Sequence, residues 1–212
     1  MMEGQFKNNI EKQTKWDQAL SRVEKITDRL GKKIDSGIKE TVTVFLVSGF
    51  NTDGSCEGHL DRGLPYPWID INQNPQSIEF KEKEIIFINQ MKNKGYKTFF
   101  DIPKTDEELY SKFMELRSNV EIYRKETLDK ITSLFYGFYS FHKPISENYL
   151  LTILENGRIQ PISGAGLGKD NWVKFESKIK SMSPEEKENY LKSSQNEMRI
   201  FTEFLKDKFM KS

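Results

Sequence analysis

An α+β fold with a small, partly antiparallel sheet is what these 212 residues predict, and three observations carry it. Short β-prone runs at Trp68-Ile69-Asp70-Ile71 and Tyr96 to Ile102 are separated by stretches with helical periodicity. Asn156-Gly157 lies between two apolar runs, the strongest short-range hairpin signal. The C-terminal residues again repeat apolar side chains at helical spacing.

In order, Trp16, Leu20, Val23, Ile26 and Leu30 alternate at steps of three and four, predicting a helix from Thr14 to a stop at Gly31. Asp35 or Ser36 then caps a second helix through Ile38, Val42, Phe45 and Leu46, ended by Gly49. Thr41 to Val47 is β-branched enough for a strand, but Ile38, Val42 and Phe45 keep a helical stripe, so a helix is expected. Gly49 to Leu64 reads as a loop, followed by the Trp68–Ile71 strand with Trp68 and Asp70 on one face. Ile78, Ile85, Ile88 and Met91 predict a helix over 77–94, capped by Gly95. A strand is expected from Tyr96 to Ile102.

Thr105-Asp106-Glu107-Glu108 has the capping-box pattern and opens a helix to about Tyr139, with Asn119 as a candidate break. Leu150 to Leu154 and Arg158 to Ile162 form the hairpin. Trp172, Phe175 and Ile179 suggest a short helix. Ser183 and Pro184 open the last helix, whose stripe is Tyr190, Ile200, Phe204 and Leu205. Residues 1–182 are expected to form one α+β domain, with the helix over 183–212 packed on it or on a partner.

Apolar residues make up 36 % and charged residues 31 % of the chain, with aromatics at 12 % supplying large core side chains. Thirty-three Lys+Arg against 32 Asp+Glu leave a net charge of +1, which argues against a strongly basic nucleic-acid binder. A single cysteine cannot form an internal disulfide, and no apolar run approaches a membrane span. With no signal-peptide pattern at the N-terminus, a soluble, cytoplasmic protein without a membrane partner is expected.

Reactive side chains are concentrated between Asn51 and Asp61, the stretch Thr52-Asp53-Gly54-Ser55-Cys56-Glu57-Gly58-His59. It holds the only cysteine and one of two histidines. Gly54, Gly58 and Gly63 let the backbone approach a ligand, and their N–H groups can form an anion-binding nest beside the Thr52 and Ser55 hydroxyls. His59 is the expected acid/base group, oriented by Glu57, Asp61 or Asp70. Cys56 is a nucleophile only if its pKa is depressed, and otherwise a small buried hydrophobe. A metal reading uses His59, Asp61 and Asp70, with His142 as the remaining histidine. The bland reading of the His59 and Asp70 pair is a hydrogen bond closing the loop onto the strand.

Gly31-Lys32-Lys33, Asp35-x-x-Ile38, then Thr52, Ser55, Cys56 and Gly58, then Trp68-Ile69, resemble part of the tRNA wybutosine-synthesising methyltransferase family of the third pathway step. The resemblance covers Asp28 to Ile71. It implies S-adenosylmethionine-dependent methyl transfer on tRNA. Gly54, Glu57 and His59 depart from the family's Thr-x-Ser-Cys-Ser-Gly-Arg pattern, and the missing arginine removes a phosphate or carboxylate contact.

Ser163 to Lys169 is Gly-rich, but Gly164 stands too close to Gly168 for a P-loop and Asp170 replaces the hydroxyl residue, so it reads as a connector. Arg158 is either a cation for an anionic substrate or a solvated hairpin arginine. The aromatic run Phe135 to Phe141 is a base-stacking platform or, at helical spacing, core. The leading expectation is a loop that binds a small polar or phosphorylated ligand, a nucleotide or an RNA feature, through Thr52, Gly54, Ser55, Glu57, Gly58, Asp70 and Arg158. Catalysis would fall to His59, Cys56 and Asp61. The alternatives are a metal-dependent hydrolase built on His59 and Asp70, and a non-enzymatic protein-interaction domain docking through its C-terminal helix.

Overall fold

The computed structural model describes residues 2–28, 30–161, 175 and 177–212. The chain divides into two compact units, Met1–Asn72 with Thr132–Ser212, and Gln73–Ile131. The fold is α+β, with an open four-stranded antiparallel sheet in the order β1-β2-β4-β3. The Gly-rich stretch at 163–169 and Trp172 lie outside the described residues.

Helix α1 (Met2–Val23) buries Trp16 and Val23 but ends a full two turns before Gly31. Ile26 and Leu30, expected on its stripe, are 41 % and 91 % exposed. The cause is Asp28, whose Oδ1 accepts the Leu30 and Lys32 N–H groups at 2.8 Å each. Its own backbone N–H and C=O close a turn with Lys32 and Gly31. An aspartate offering the backbone these alternative bonds ends a helix, and Gly31 at φ 77° turns the chain back so that Thr27 bridges Lys33.

A 3₁₀ turn at Ser36–Ile38 leads into α2 (Lys39–Val47), the helix expected despite its β-branched run. Thr41, Val42, Thr43, Val44 and Phe45 are all buried, so tertiary packing overrides local propensity. Gly49 (φ 88°) ends it in a Schellman motif: Phe50 N–H bonds the Phe45 carbonyl at 2.9 Å, and the two rings meet edge-on at 6.0 Å.

Strand β1 (Thr52–Cys56) replaces part of the loop expected from Gly49 to Leu64. It pairs with β2 (Trp68–Ile71) in the register Cys56↔Trp68, Ser55↔Ile69, Gly54↔Asp70, with an irregularity between Thr52 and Gly54. Its residues carry little strand propensity. Pairing is favoured by the fit of Gly54 under Trp68, because a Cβ at position 54 would stand 3.2 Å from the indole. Helix α4 (Glu107–Tyr139) runs without a break at Asn119. β3 (Leu151–Ile153) and β4 (Arg158–Pro161) form the expected hairpin, with Gly157 at φ 86° in its turn. β4 pairs with β2 through Ile69↔Ile159 and Asp70↔Arg158. The period of two puts Ile69, Ile71 and Ile159 on the buried face and Cys56, Trp68, Asp70 and Arg158 on the other.

After helical residues at 177–181 (α5), helix α6 (Pro184–Lys211) opens on the expected box, Ser183 Oγ accepting Glu186 N–H and Glu186 accepting Ser183 N–H. Its buried stripe is wider than expected, with Leu191, Met198 and Phe201 beside Tyr190 and Leu205, packed on α2 and α1. Ile200 and Phe204 are half-buried. Phe135 and Phe138 lie against Phe201 at 4.8 and 5.2 Å, so the aromatic run is core, while Tyr136 and Phe141 face outward. No helix among the described residues is long and apolar enough to cross a membrane.

In the second unit α3 (Ile78–Asn93) is capped by Ser77 Oγ, and Gly95 sits at φ 80° beyond its end. Its buried side is Phe80, Phe87 and Met91; Ile78 and Ile85 point outward. The strand expected over Tyr96 to Ile102 is instead a 3₁₀ turn at Phe99–Asp101. There the Asp101 carboxylate captures the N–H groups of Lys97 and Thr98 at 3.0 and 2.7 Å. Phe87, Met91, Ile102 and Leu109 make this unit's core.

Candidate functional site

The segment from Glu57 to Pro67 turns sharply between β1 and β2. Gly58, at φ 85°, is enclosed: a Cβ there would lie 2.6 Å from the Tyr66 carbonyl carbon and 2.7 Å from Leu191 Cδ1. The His59 N–H closes the turn on the Leu64 carbonyl at 3.0 Å. Glu57 anchors it at the base, its carboxylate accepting Gly37 N–H at 2.6 Å and its carbonyl accepting Gln195 Nε2 at 2.9 Å. Glu57 is thereby a fastening between three elements.

The turn brings His59 against Asp35, Nε2 standing 3.1 Å from Oδ2. This is none of Glu57, Asp61 and Asp70, the acids expected to orient the ring. Asp61 is exposed on the turn. Asp70 is held by Arg158, directly opposite it in register, through Nε at 2.7 Å and Nη2 at 2.8 Å. The Arg158 guanidinium also lies 4.2 Å over the Trp68 ring. Arg158 thus forms a bidentate pair with Asp70, capped on an indole and partly exposed.

Arg62 approaches from the exposed side, Nη2 at 3.8 Å from Asp35 Oδ1 and 3.4 Å from His59 Nε2. One ring nitrogen cannot donate to Asp35 and accept from Arg62 together. The carboxylate fixes the proton on Nε2, and Arg62 pairs with Asp35. Burial pushes the Asp35 carboxyl up, but His59, the Glu57 N–H and Arg62 outweigh it and hold the group below the usual carboxylate range.

Cys56 completes the cluster. Burial raises its thiol pKa, a hydrogen bond from Gly58 N–H pulls back against this, and the Asp35 and Glu57 carboxylates push further up. These influences favour the neutral thiol over the thiolate. A nucleophilic Cys56 needs the opposite environment.

Asp35, Cys56 and His59 line one cleft of about 480 Å³ with Thr52, Gly54, Ser55 and Trp68. Lys32, Lys33 and Arg62 line it too. The other two lining acids are engaged, Asp28 by backbone N–H groups and Asp53 by Asn72 Nδ2 at 2.7 Å. Among the described residues no carboxylate pairs with Lys32 or Lys33. Of the expected ligand residues, Thr52, Gly54, Ser55, Cys56 and His59 converge here; Glu57, Gly58, Asp61, Asp70 and Arg158 do not line the cleft.

His142 does not join His59. Its Nε2 bonds the buried Glu197 at 3.0 Å and its ring stacks on Phe138 at 4.6 Å. Among the described residues, the His/Cys/Asp/Glu cluster with donor atoms close enough to share a metal is Asp35, Cys56 and His59, not His59 with Asp61, Asp70 or His142.

Sequence reasoning missed Asp35, Lys32, Lys33 and Arg62. Asp35 reads as a helix cap, yet its side chain makes no capping bond and turns to His59 instead. Comparison with known proteins adds no relative: no family model matches the chain, and neither does any curated protein or solved structure.

Proposed function

We propose that this cleft binds a small phosphorylated ligand, with His59, oriented by Asp35, as its acid/base group. The observation that supports it is the meeting of Lys32, Lys33 and Arg62 with the Asp35–His59 pair around a single cleft. Lysines act as point charges for phosphate. Trp68 offers an aromatic wall suited to a base, which favours a nucleotide or a nucleotide unit of RNA. The cleft volume lies within the range of small-molecule sites.

A thermal-shift panel of inorganic phosphate, nucleoside phosphates, S-adenosylmethionine and short RNA tests this. A ligand at a hundred times its Kd stabilises by about 2.7 kcal/mol, which for a chain of this length is a rise of about 5–10 °C. Replacing both Lys32 and Lys33 by Ala removes most of that rise, while the unliganded melting temperature stays within about 2 °C because exposed substitutions are near neutral. A panel with no phosphorylated hit, or a hit indifferent to the double substitution, refutes the proposal.

A further inference from the structure

The geometry points to a zinc-type divalent metal site formed by Asp35 Oδ2, Cys56 Sγ and His59 Nε2, open to the cleft at a fourth position. The donor atoms of these three residues all lie within 4.8 Å of one another. Two ligands held at about 2.0–2.2 Å around a tetrahedral ion stand about 3.3–3.6 Å apart. The His59–Asp35 pair, at 3.1 Å, is close to that spacing already. Small side-chain rotations bring in the sulfur.

The donor chemistry selects the ion. A thiolate with an imidazole and a carboxylate suits a borderline-soft cation and disfavours magnesium or calcium, which take oxygen ligands. Three protein ligands with one open position is the arrangement of reactive rather than purely structural zinc centres. The metal would replace the hydrogen that His59 and Asp35 now share. On binding, the Cys56 thiol proton is released to solvent. The His59 proton moves from Nε2 to Nδ1, leaving the Nε2 lone pair for the ion. One thiolate and one carboxylate balance the dication, so the first shell is neutral. Arg62 on Oδ1 and Glu57 N–H on Oδ2 are positioned to orient the Asp35 carboxylate from behind.

The metal site stands on its own donors; that its open position receives a phosphate oxygen rests on the reading of the cleft given above. The test is a Co²⁺ titration of the chelator-treated full chain, followed by Zn²⁺ competition. Cys56 is the sole cysteine, so a thiolate-to-cobalt charge-transfer band reports on this position alone. The expected result is a band saturating at one equivalent and abolished by Zn²⁺. Cys56→Ser abolishes it. Asp35→Asn and His59→Gln each weaken metal affinity tenfold or more, with far-ultraviolet circular dichroism confirming that each variant is folded. Absence of the band in folded wild-type protein overturns the site. So does a band of undiminished affinity in both Asp35→Asn and His59→Gln, which marks an adventitious thiol complex. Stabilisation of metal-free protein by phosphate compounds without any cobalt band sinks the metal and keeps the cleft. A band with no phosphate-dependent shift in the loaded protein keeps the metal and sinks the phosphate reading.

Discussion

Replacing Gly58 by alanine tests whether the turn that carries His59 is held by crowding or only by backbone conformation. Two costs apply at this position. A left-handed conformation costs an alanine about 1–2 kcal/mol relative to glycine. The new methyl also meets the Tyr66 backbone at 2.6 Å and Leu191 Cδ1 at 2.7 Å. Leucine can yield; the Tyr66 main chain, whose ring is fully buried against Phe175 and Tyr190, cannot do so cheaply. Overpacking of that kind adds about 1–3 kcal/mol. The sum, about 2–5 kcal/mol, lowers the melting temperature by about 4–20 °C at about 2–4 °C per kcal/mol for a chain of this size.

Gly63 supplies the control, because its φ is also positive (70°) but an added Cβ meets nothing within 4 Å. Gly63→Ala therefore carries the conformational cost alone, a fall of about 2–8 °C. Thermal unfolding of both variants by circular dichroism gives the comparison. Equal losses in the two variants would refute the claim that close packing on Tyr66 and Leu191 fixes the turn.

Two further outcomes follow from partly and fully buried charge. His142→Ala leaves the Glu197 carboxylate, 3 % exposed and with Oε1 lacking a hydrogen-bond partner among the described residues, without its bond to His142 Nε2 at 3.0 Å. The loss is about 3–5 kcal/mol by denaturant titration, and adding Glu197→Leu recovers much of it; a loss below about 1 kcal/mol contradicts the assignment. The Asp106 carboxyl is held below its usual range, chiefly by its hydrogen bond to Lys94 at 2.8 Å. A depressed pKa adds stability above the unfolded value of about 3.9 that disappears as pH falls through the folded value. Asp106→Asn, which retains helix-capping ability, therefore melts below wild type at pH 6, and the gap closes as the solution is taken below the carboxylate range. A gap unchanged with pH rules out the charge as its source.

Much of the fold could be read from local signals that nothing overrode. Gly49, Gly95 and Asn156-Gly157 mark stops and turns that the backbone needs regardless of context, and Ser183-Pro184 opens α6 as expected. The misreadings share a cause. Asp28 and Asp101 each spend a carboxylate on nearby backbone N–H groups, cutting short a helix in one case and replacing a strand by a turn in the other. Apolar periodicity is blind to that competition. β1 was invisible for the converse reason: its partner strand, not its own residues, makes it a strand.

The candidate site was half legible. The rarity of cysteine and histidine located Cys56 and His59, but the carboxylate that joins them comes from a segment some twenty residues upstream that looks like an ordinary helix lead-in. The pairing of Arg158 with Asp70 was hidden because the two are neighbours only across strands.

Trp68 gives the molecule a resident optical probe. Its indole forms part of the cleft wall while a guanidinium rests at 4.2 Å from the ring, so its emission is tuned by a charge that any occupant of the hollow must screen or shift. Trp16, by contrast, is 4 % exposed beneath Lys206 and insulated from events in that hollow. Fluorescence in a Trp16→Phe/Trp172→Phe background, which keeps Trp68 alone of the three tryptophans, can thus follow filling of the hollow without labelling the protein at all.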